Sequence, residues 1–301
     1  FDGVTPEKYL RDAHAGATRV READIDALIA VGGGSSLDIA KQISVLAGHD
    51  QPLDEVTDEI LDREEMIVPE DGSLTDIFAV PTTLPGAELS QVAGITLSME
   101  PAEKSLSEMP SVGVSDSRLM PAAIFHDLDL FATTPESILA RSAMNGFDKG
   151  IETLYAATAT PITDATAMRG LSLFQDGLRA FGGGDRDDWV FDALVRGCTL
   201  VQYGISRPNT GTLSVIHAFG HGLTSTYDVQ QGQAHAVVAP HVLDYLFSQV
   251  DGRRALLARA LGVPAADDPA DAVVTAVTEV RDALGLSARL RDVDGPEPAA
   301  F

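Results

Sequence analysis

The sequence predicts an α/β domain followed by an all-α domain, on three observations. A short apolar run, Ile25-Asp26-Ala27-Leu28-Ile29-Ala30-Val31, ends at three glycines, the pattern of a buried strand feeding a turn. A helical stretch and a second buried run, Ile77-Phe78-Ala79-Val80, follow, and a helix between two such strands implies a parallel crossover. Beyond residue 133 only helical periodicity remains. The expected domains are therefore 1–132, α/β, and 133–301, all-helical.

Taken in order, residues 5–23 read as an amphipathic helix with Tyr9, Leu10, Ala13 and Ala17 on one face. Strand 25–31 comes next, then a helix from Ser36 to Leu46. Residues 50–75 form an acidic excursion without evident chemistry. Strand 77–80 ends at Pro81, and 94–130 read as short strands and turns. Thr134 as N-cap, Pro135 at the first helical position and Glu136 in the first turn mark a helix start. Helices are then expected at about 135–144, 145–157, 161–180, 187–205, 209–226, 233–249, 253–261 and 268–284. Gly182-Gly183-Gly184-Asp185 has no strand before it and reads as an inter-helix turn, not a phosphate loop. No internal repeat is visible.

The chain of 301 residues is 45% hydrophobic, enough for a sizeable core. No apolar run reaches membrane-spanning length, and no signal peptide is visible. The opening Phe1-Asp2-Gly3-Val4 reads as the middle of a domain, with a segment expected upstream. Acidic residues outnumber basic ones 45 to 21, a net charge of −24. Such a surface repels nucleic acid and anionic membranes. Lysine is confined to Lys8, Lys41, Lys104 and Lys149. An acidic, lysine-poor surface suits solubility in concentrated salt, the halophilic reading, with an ordinary acidic cytoplasmic protein as the other. The lone Cys198 excludes an intrachain disulfide and a zinc–cysteine cluster.

Gly32-Gly33-Gly34-Ser35 lies between an expected strand and an expected helix. Glycines let the backbone approach a phosphate closely, and a helix start offers free N–H groups and partial positive charge. A Rossmann-like nucleotide-binding turn fits, although Ser35 and Ser36 depart from GxGxxG.

In context, Gly32-Gly33-Gly34-Ser35-Ser36-Leu37-Asp38-Ile39-Ala40-Lys41 resembles the GGGSxxDxAK signature of the iron-containing (group III) alcohol dehydrogenase family. Pro81-Thr82-Thr83-Leu84-Pro85-Gly86-Ala87-Glu88 resembles its PTT turn, with a length closer to the maleylacetate reductase version, PTTxxGSE. Ala143-Met144-Asn145-Gly146-Phe147-Asp148-Lys149-Gly150-Ile151-Glu152 resembles GMDALTHAIE, and His217-Ala218-Phe219-Gly220-His221-Gly222-Leu223 resembles its HxxxHxL helix. The resemblance covers nearly the whole chain. It implies the dehydroquinate synthase-like architecture, with cofactor and substrate in a cleft between the domains. It also implies a further strand and helix upstream and more chain after Phe301. NAD or NADP is the implied cofactor, cradled by Gly32, Gly33, Gly34 and Ser35, with Thr82 and Thr83 near the ribose. Asp38 is expected on the cofactor side of its helix, or else as a helix-start residue, and Lys41 as a solvated lysine, with the cofactor side as its lesser alternative. The residue that would choose between NAD and NADP is expected in the upstream strand.

Members of this family hold a divalent metal with one Asp and three His. The metal acts as a Lewis acid on the substrate oxygen. The matching positions here are Asn145, Lys149, His217 and Gln231, so only one of the four ligands is kept. Glu152 and Gly232 anchor that alignment. Asn and Gln offer weak neutral oxygens, and protonated Lys has no lone pair. Bound Fe or Zn is therefore not expected. The Lys149 ammonium is expected to take over the metal's task by stabilising the developing oxyanion, with Asn145 and Gln231 orienting. Lys149, His217 and His221 form the expected catalytic set. His221, one turn after His217, suits proton relay. His235 is a second candidate for the cleft, and His241 reads as structural.

The implied activity is NAD(P)-dependent interconversion of a small alcohol and its carbonyl in the cytoplasm, by a homodimer, without nucleic acid or membrane partners. Three rivals stand beside it. A maleylacetate-type reductase needs a basic pocket, for which Arg207 beside Pro208 and Asn209 is the candidate. A lyase of the dehydroquinate synthase type would need the metal. A catalytically inactive cofactor-binding homologue would explain the lost ligands by drift.

Overall fold

The computed structural model describes residues 4–49, 51–70, 74–97, 111–205, 212, 214–224, 226–227 and 229–293. Two compact units emerge, one of 1–82 with 87–127, the other of 83–86 with 128–301. The four-residue segment 83–86 thus leaves the first unit and packs with the helices.

In the first unit, α1 (Leu10–Glu22) buries Leu10, Ala13, Ala17 and Val20, while Tyr9, expected on that face, is the cap residue before the helix and only half-buried. Strand β1 (Ala27–Gly32) runs into α2 (Gly34–Ala47). Strand β2 (Asp76–Pro81) lies parallel to β1 with Gly32 opposite Pro81, and β5 (Ala123–Ile124) extends the sheet in the order β1-β2-β5. The parallel crossover therefore stands. The acidic excursion contains α3 (Leu53–Arg63), which sequence reading missed. Its acidic residues face outward while Val56, Thr57 and Ile60 are buried, a sparse stripe that charge obscures. An antiparallel pair, β3 (Val92–Thr96) and β4 (Ser111–Ser115), packs Ile95 and Val114 among Leu10, Ile43 and Ile60.

The helical unit holds α4 (Leu128–Thr133), α5 (Glu136–Tyr155), α6 (Pro161–Gly182), α7 (Asp188–Ile205), α8 (Val215–Thr224), α9 (Gln231–Gln249), α10 (Arg254–Ala260) and α11 (Pro269–Ala283). Two expectations change at α5. Pro135, not Thr134, is its cap residue, without a side-chain hydrogen bond. The two helices expected around residue 145 are one, because Asn145-Gly146 does not break the ladder. Gly146 instead makes room for the Leu84 carbonyl, which a Cβ there would strike at 2.3 Å. α6 starts with a capping box, in which Thr160 and Thr163 satisfy each other's backbone N–H groups, and with Pro161 in its first turn. Phe147, Ile151, Leu171, Phe174, Leu178, Leu243 and Val277 fill the core. Each contributes about 1.5–3 kcal/mol by leaving water. Among the described residues no helix is long and apolar enough to cross a membrane.

Candidate functional site

Polar side chains at 145, 148, 149 and 152 form a stripe along α5 among its buried Ala143, Met144, Phe147 and Ile151. Spacings of three and four residues put them on one face. The stripe meets α8 and α9 in the core of the helical unit.

Glu152 is fully buried and anchors α8. Its Oε1 accepts from the backbone N–H groups of Ile216 (2.8 Å) and His217 (3.2 Å) and from the Tyr155 hydroxyl (3.1 Å). Its Oε2 accepts from Ser214 N (2.8 Å) and His217 Nδ1 (2.7 Å). Free N–H groups at a helix start favour a carboxylate. Burial alone would raise this carboxyl, but His217 and the backbone donors outweigh it and hold it below the usual range. Burial pushes His217 down to about 4, so near neutral pH it is an uncharged imidazole. With Nδ1–H committed to Glu152, the Nε2 lone pair faces the Asn145 side-chain amide, whose Oδ1 lies 3.3 Å away. Turning that amide over presents its N–H to the lone pair.

Lys149 is half-buried, and its ammonium donates to Pro85 O (2.5 Å) and Gln202 Oε1 (3.1 Å). It is not the exposed lysine usual on helices. Its charge helps to depress His217 and His235. The ring of His235 packs edge-on against His217 with centroids 4.3 Å apart. His235 Nδ1 stands 3.4 Å from Asp148 Oδ2, and both residues are fully buried. Neither has a hydrogen-bond partner among the described residues. Burial pushes His235 down to about 3 and Asp148 well above the carboxylate range, so this pair is a neutral acid beside a neutral imidazole. On α8, His221 is exposed, and Gln231 Nε2 approaches its Nε2 at 3.5 Å. His241 is exposed and lines an apolar cavity of about 570 Å³ with Phe219 and Tyr245. Arg207, Pro208 and Asn209 lie outside the described residues.

In the α/β unit, Gly32 has φ +139°, open to glycine, and a Cβ there would meet Ser36 Oγ at 2.5 Å. Gly33 precedes α2 in extended conformation without a side-chain cap, leaving the first N–H groups of the helix for a ligand. Ser35 Oγ–H donates to Pro6 O at 3.3 Å. Thr82 N–H donates to Gly32 O at 2.9 Å, which fixes the PTT turn beside the glycines. Thr83 belongs with the helical unit. Asp38 is engaged elsewhere: its Oδ2 accepts from Lys8 Nζ (2.9 Å) and Gly94 N (3.4 Å). Lys41 is not solvated as expected. It is 1% exposed, and its ammonium is held by the carbonyls of Ala87, Ser90 and Val92, tying the loop after the PTT turn to α2.

Of the residues expected from the sequence, the structure brings Asn145 to His217 and Gln231 to His221. Sequence reading used Glu152 only as an alignment anchor and missed Asp148 and Gln202. The i, i+3 and i, i+4 spacing of Asn145, Asp148, Lys149 and Glu152 was the available signal for the first two.

A family model described as "Iron-containing alcohol dehydrogenase" matches residues 1–127, and one described as "Fe-containing alcohol dehydrogenase family, C-terminal" matches 139–298. A maleylacetate reductase of Pseudomonas aeruginosa is 28% identical over 295 residues, 97% of this chain and 70% of that protein. A 1,3-propanediol dehydrogenase of Klebsiella pneumoniae is 27% identical over 314 residues, 100% of this chain and 74% of that protein. Among solved structures, the sulfoacetaldehyde reductase of Bifidobacterium kashiwanohense in complex with NAD+ has the same fold. Its TM-score is 0.80 at 20% identity, over 99% of this chain and 74% of that one.

Proposed function

The chain belongs to the iron-containing alcohol dehydrogenase family, an oxidoreductase family acting on alcohols and carbonyls, and on that premise we propose that it transfers hydride between NAD and a small carbonyl with the Lys149 ammonium as the polarising charge. The observation that carries this reading is the placement of Lys149: half-buried, held by two carbonyl oxygens, one turn from Asn145 and close enough to His217 to depress it.

The divalent metal of the family does not fit the donor set present. Lys149 offers a cation, Asn145 and Gln231 offer only neutral amides, and Nε2 of His217 is left as the one good ligand nitrogen of the four positions.

The glycine turn fits a dinucleotide. Gly32, Gly33, Gly34 and Ser35 would face the pyrophosphate, with Thr82 beside them. NAD is favoured over NADP by the NAD+ complex among the structural relatives. When bound, the cofactor gives or accepts hydride at its nicotinamide. Lys149 stabilises negative charge on the substrate oxygen as it develops, in a site drier than water, where a fixed cation acts strongly. Neutral His217, locked by Glu152, orients Asn145 rather than donating a proton. His221, exposed beside Gln231, supplies the proton that converts the alkoxide to alcohol, and accepts it in the reverse direction.

Elemental analysis after dialysis, together with NADH oxidation in the presence of a chelator, tests the reading. Less than a tenth of a metal ion per chain with turnover retained is expected. One tightly held metal per chain, lost together with activity on chelation, would overturn it.

A further inference from the structure

α7 is apolar on the side that faces α5 and α6, where Leu194, Cys198 and Val201 are buried, yet it carries a glutamine there that is 4% exposed. A buried amide must be satisfied. The Gln202 Oε1 accepts from the Lys149 ammonium at 3.1 Å, and the Pro85 carbonyl accepts from the same group. Pro85 sits in a turn that is itself pinned. Leu84 N–H donates to Ser142 Oγ at 3.2 Å, and the Cys198 thiol donates to Leu84 O at 3.2 Å. The next residue, Gly86, has φ +78° and lies against Gln202. A Cβ at Gly86 would come 2.8 Å from Oε1 and 3.0 Å from Cγ. The amide is thus clamped between the turn and α7.

The chemistry of the two acceptors is selective. Both are carbonyl dipoles, which fix the direction of an ammonium without neutralising it. A carboxylate at the same place would form an ion pair and cancel the charge.

We infer that Gln202 is a positioning residue for the reduction: its Oε1, with the Pro85 carbonyl, fixes the direction in which the Lys149 ammonium is held toward the substrate oxygen. The inference rests on the proposed role of Lys149.

The test is steady-state kinetics with NADH and the best carbonyl acceptor found for the parent protein, maleylacetate being the first tried. Gln202→Met, Gln202→Glu and Lys149→Met are measured singly, and the first is also combined with the third. Gln202→Met is expected to lower kcat about tenfold, the size of a lost hydrogen bond to a charged group, with the KM for NADH unchanged. Gln202→Glu keeps the shape and the acceptor, and is expected to lower kcat as well because it pairs with the ammonium. In the Lys149→Met background, Gln202→Met is expected to have no further effect, since it acts through the absent group. Full kcat in both Gln202 variants, with Lys149→Met crippled, would overturn this inference and leave the role of Lys149 standing. A tenfold loss repeated in the Lys149→Met background would also overturn it. Full turnover of Lys149→Met alone would overturn the role of Lys149 and the inference with it. If Gln202→Met does not fold, the isosteric Gln202→Glu decides.

Discussion

Replacing Glu152 by Gln changes one atom in the best-connected carboxylate of the helical unit. Five donors converge on it: three backbone N–H groups, the Tyr155 hydroxyl and His217 Nδ1–H. If the amide oxygen keeps the three contacts of Oε1, the new NH2 faces Ser214 N–H and His217 Nδ1–H, both donors. Hydrogen bonds to a charged group contribute about 1.5–3 kcal/mol each, so the loss is about 3–5 kcal/mol, including the start of α8 set adrift. The imidazole can recover part by moving its proton to Nε2, where Asn145 Oδ1 would accept it. At roughly 2–4 °C per kcal/mol for a unit of this size, Tm should fall by about 10 °C. Thermal melting followed by circular dichroism measures the fall, and imidazole nitrogen shifts report the proton on Nδ1 in the parent and on Nε2 in the variant. A Tm within 2 °C of the parent, with the tautomer unchanged, would refute the claim that this carboxylate anchors α8 and orients His217.

Acid should destabilise the protein between pH 6.5 and about 4. His217 is neutral in the fold down to about 4 but takes up a proton near 6.5 when unfolded, and Glu152, lowered in the fold, adds to the loss below 4.5. Asp148 and His235 cancel over this range, because the pair holds one proton folded, on the carboxyl, and one unfolded, on the imidazole. The slope should therefore be that of one proton, at most about 1.4 kcal/mol per pH unit. Melting temperatures that stay flat from pH 4.5 to 6.5 would contradict this. Gly33→Leu should fold, since φ at −82° suits any residue, yet should weaken NADH binding at least tenfold by filling the approach to the pyrophosphate. Unchanged affinity by fluorescence titration would show that the turn only packs α2.

The fold was legible where chemistry and periodicity agreed. Val31 running into three glycines marked the end of β1, and Ile77–Val80 marked β2, but the burial expected for β1 is not found: Ile29 is 71% and Val31 55% exposed, because apolar content alone does not tell a strand covered on both faces from one with an open face. α3 was hidden because its exposed face is so acidic that three buried positions do not stand out. The break expected at residue 145 does not occur, because packing against Leu84 overrides the low helix propensity of Asn145 and Gly146. Lys41 shows the same limit for side chains: its burial depends on three carbonyls from a loop some fifty residues away, which local pattern cannot convey. Asn145 and Lys149 could be singled out because an i, i+4 spacing puts them on one face of a helix whatever residues stand there. What Gln202 and the Pro85 carbonyl do for Lys149 was not readable, since it depends on α7 and the PTT turn meeting α5 in space.

Turnover of Lys149→Met is the most direct test of the account. The substitution keeps length and apolar bulk and removes only the charge. NADH oxidation at saturating carbonyl should fall on the order of 100-fold or more, with the Kd for NADH and the Tm nearly unchanged and with no rescue by added Fe²⁺ or Zn²⁺, because the group acts where charge develops in the transition state. A kcat within a factor of two of the parent would contradict the proposal that an ammonium polarises the substrate here.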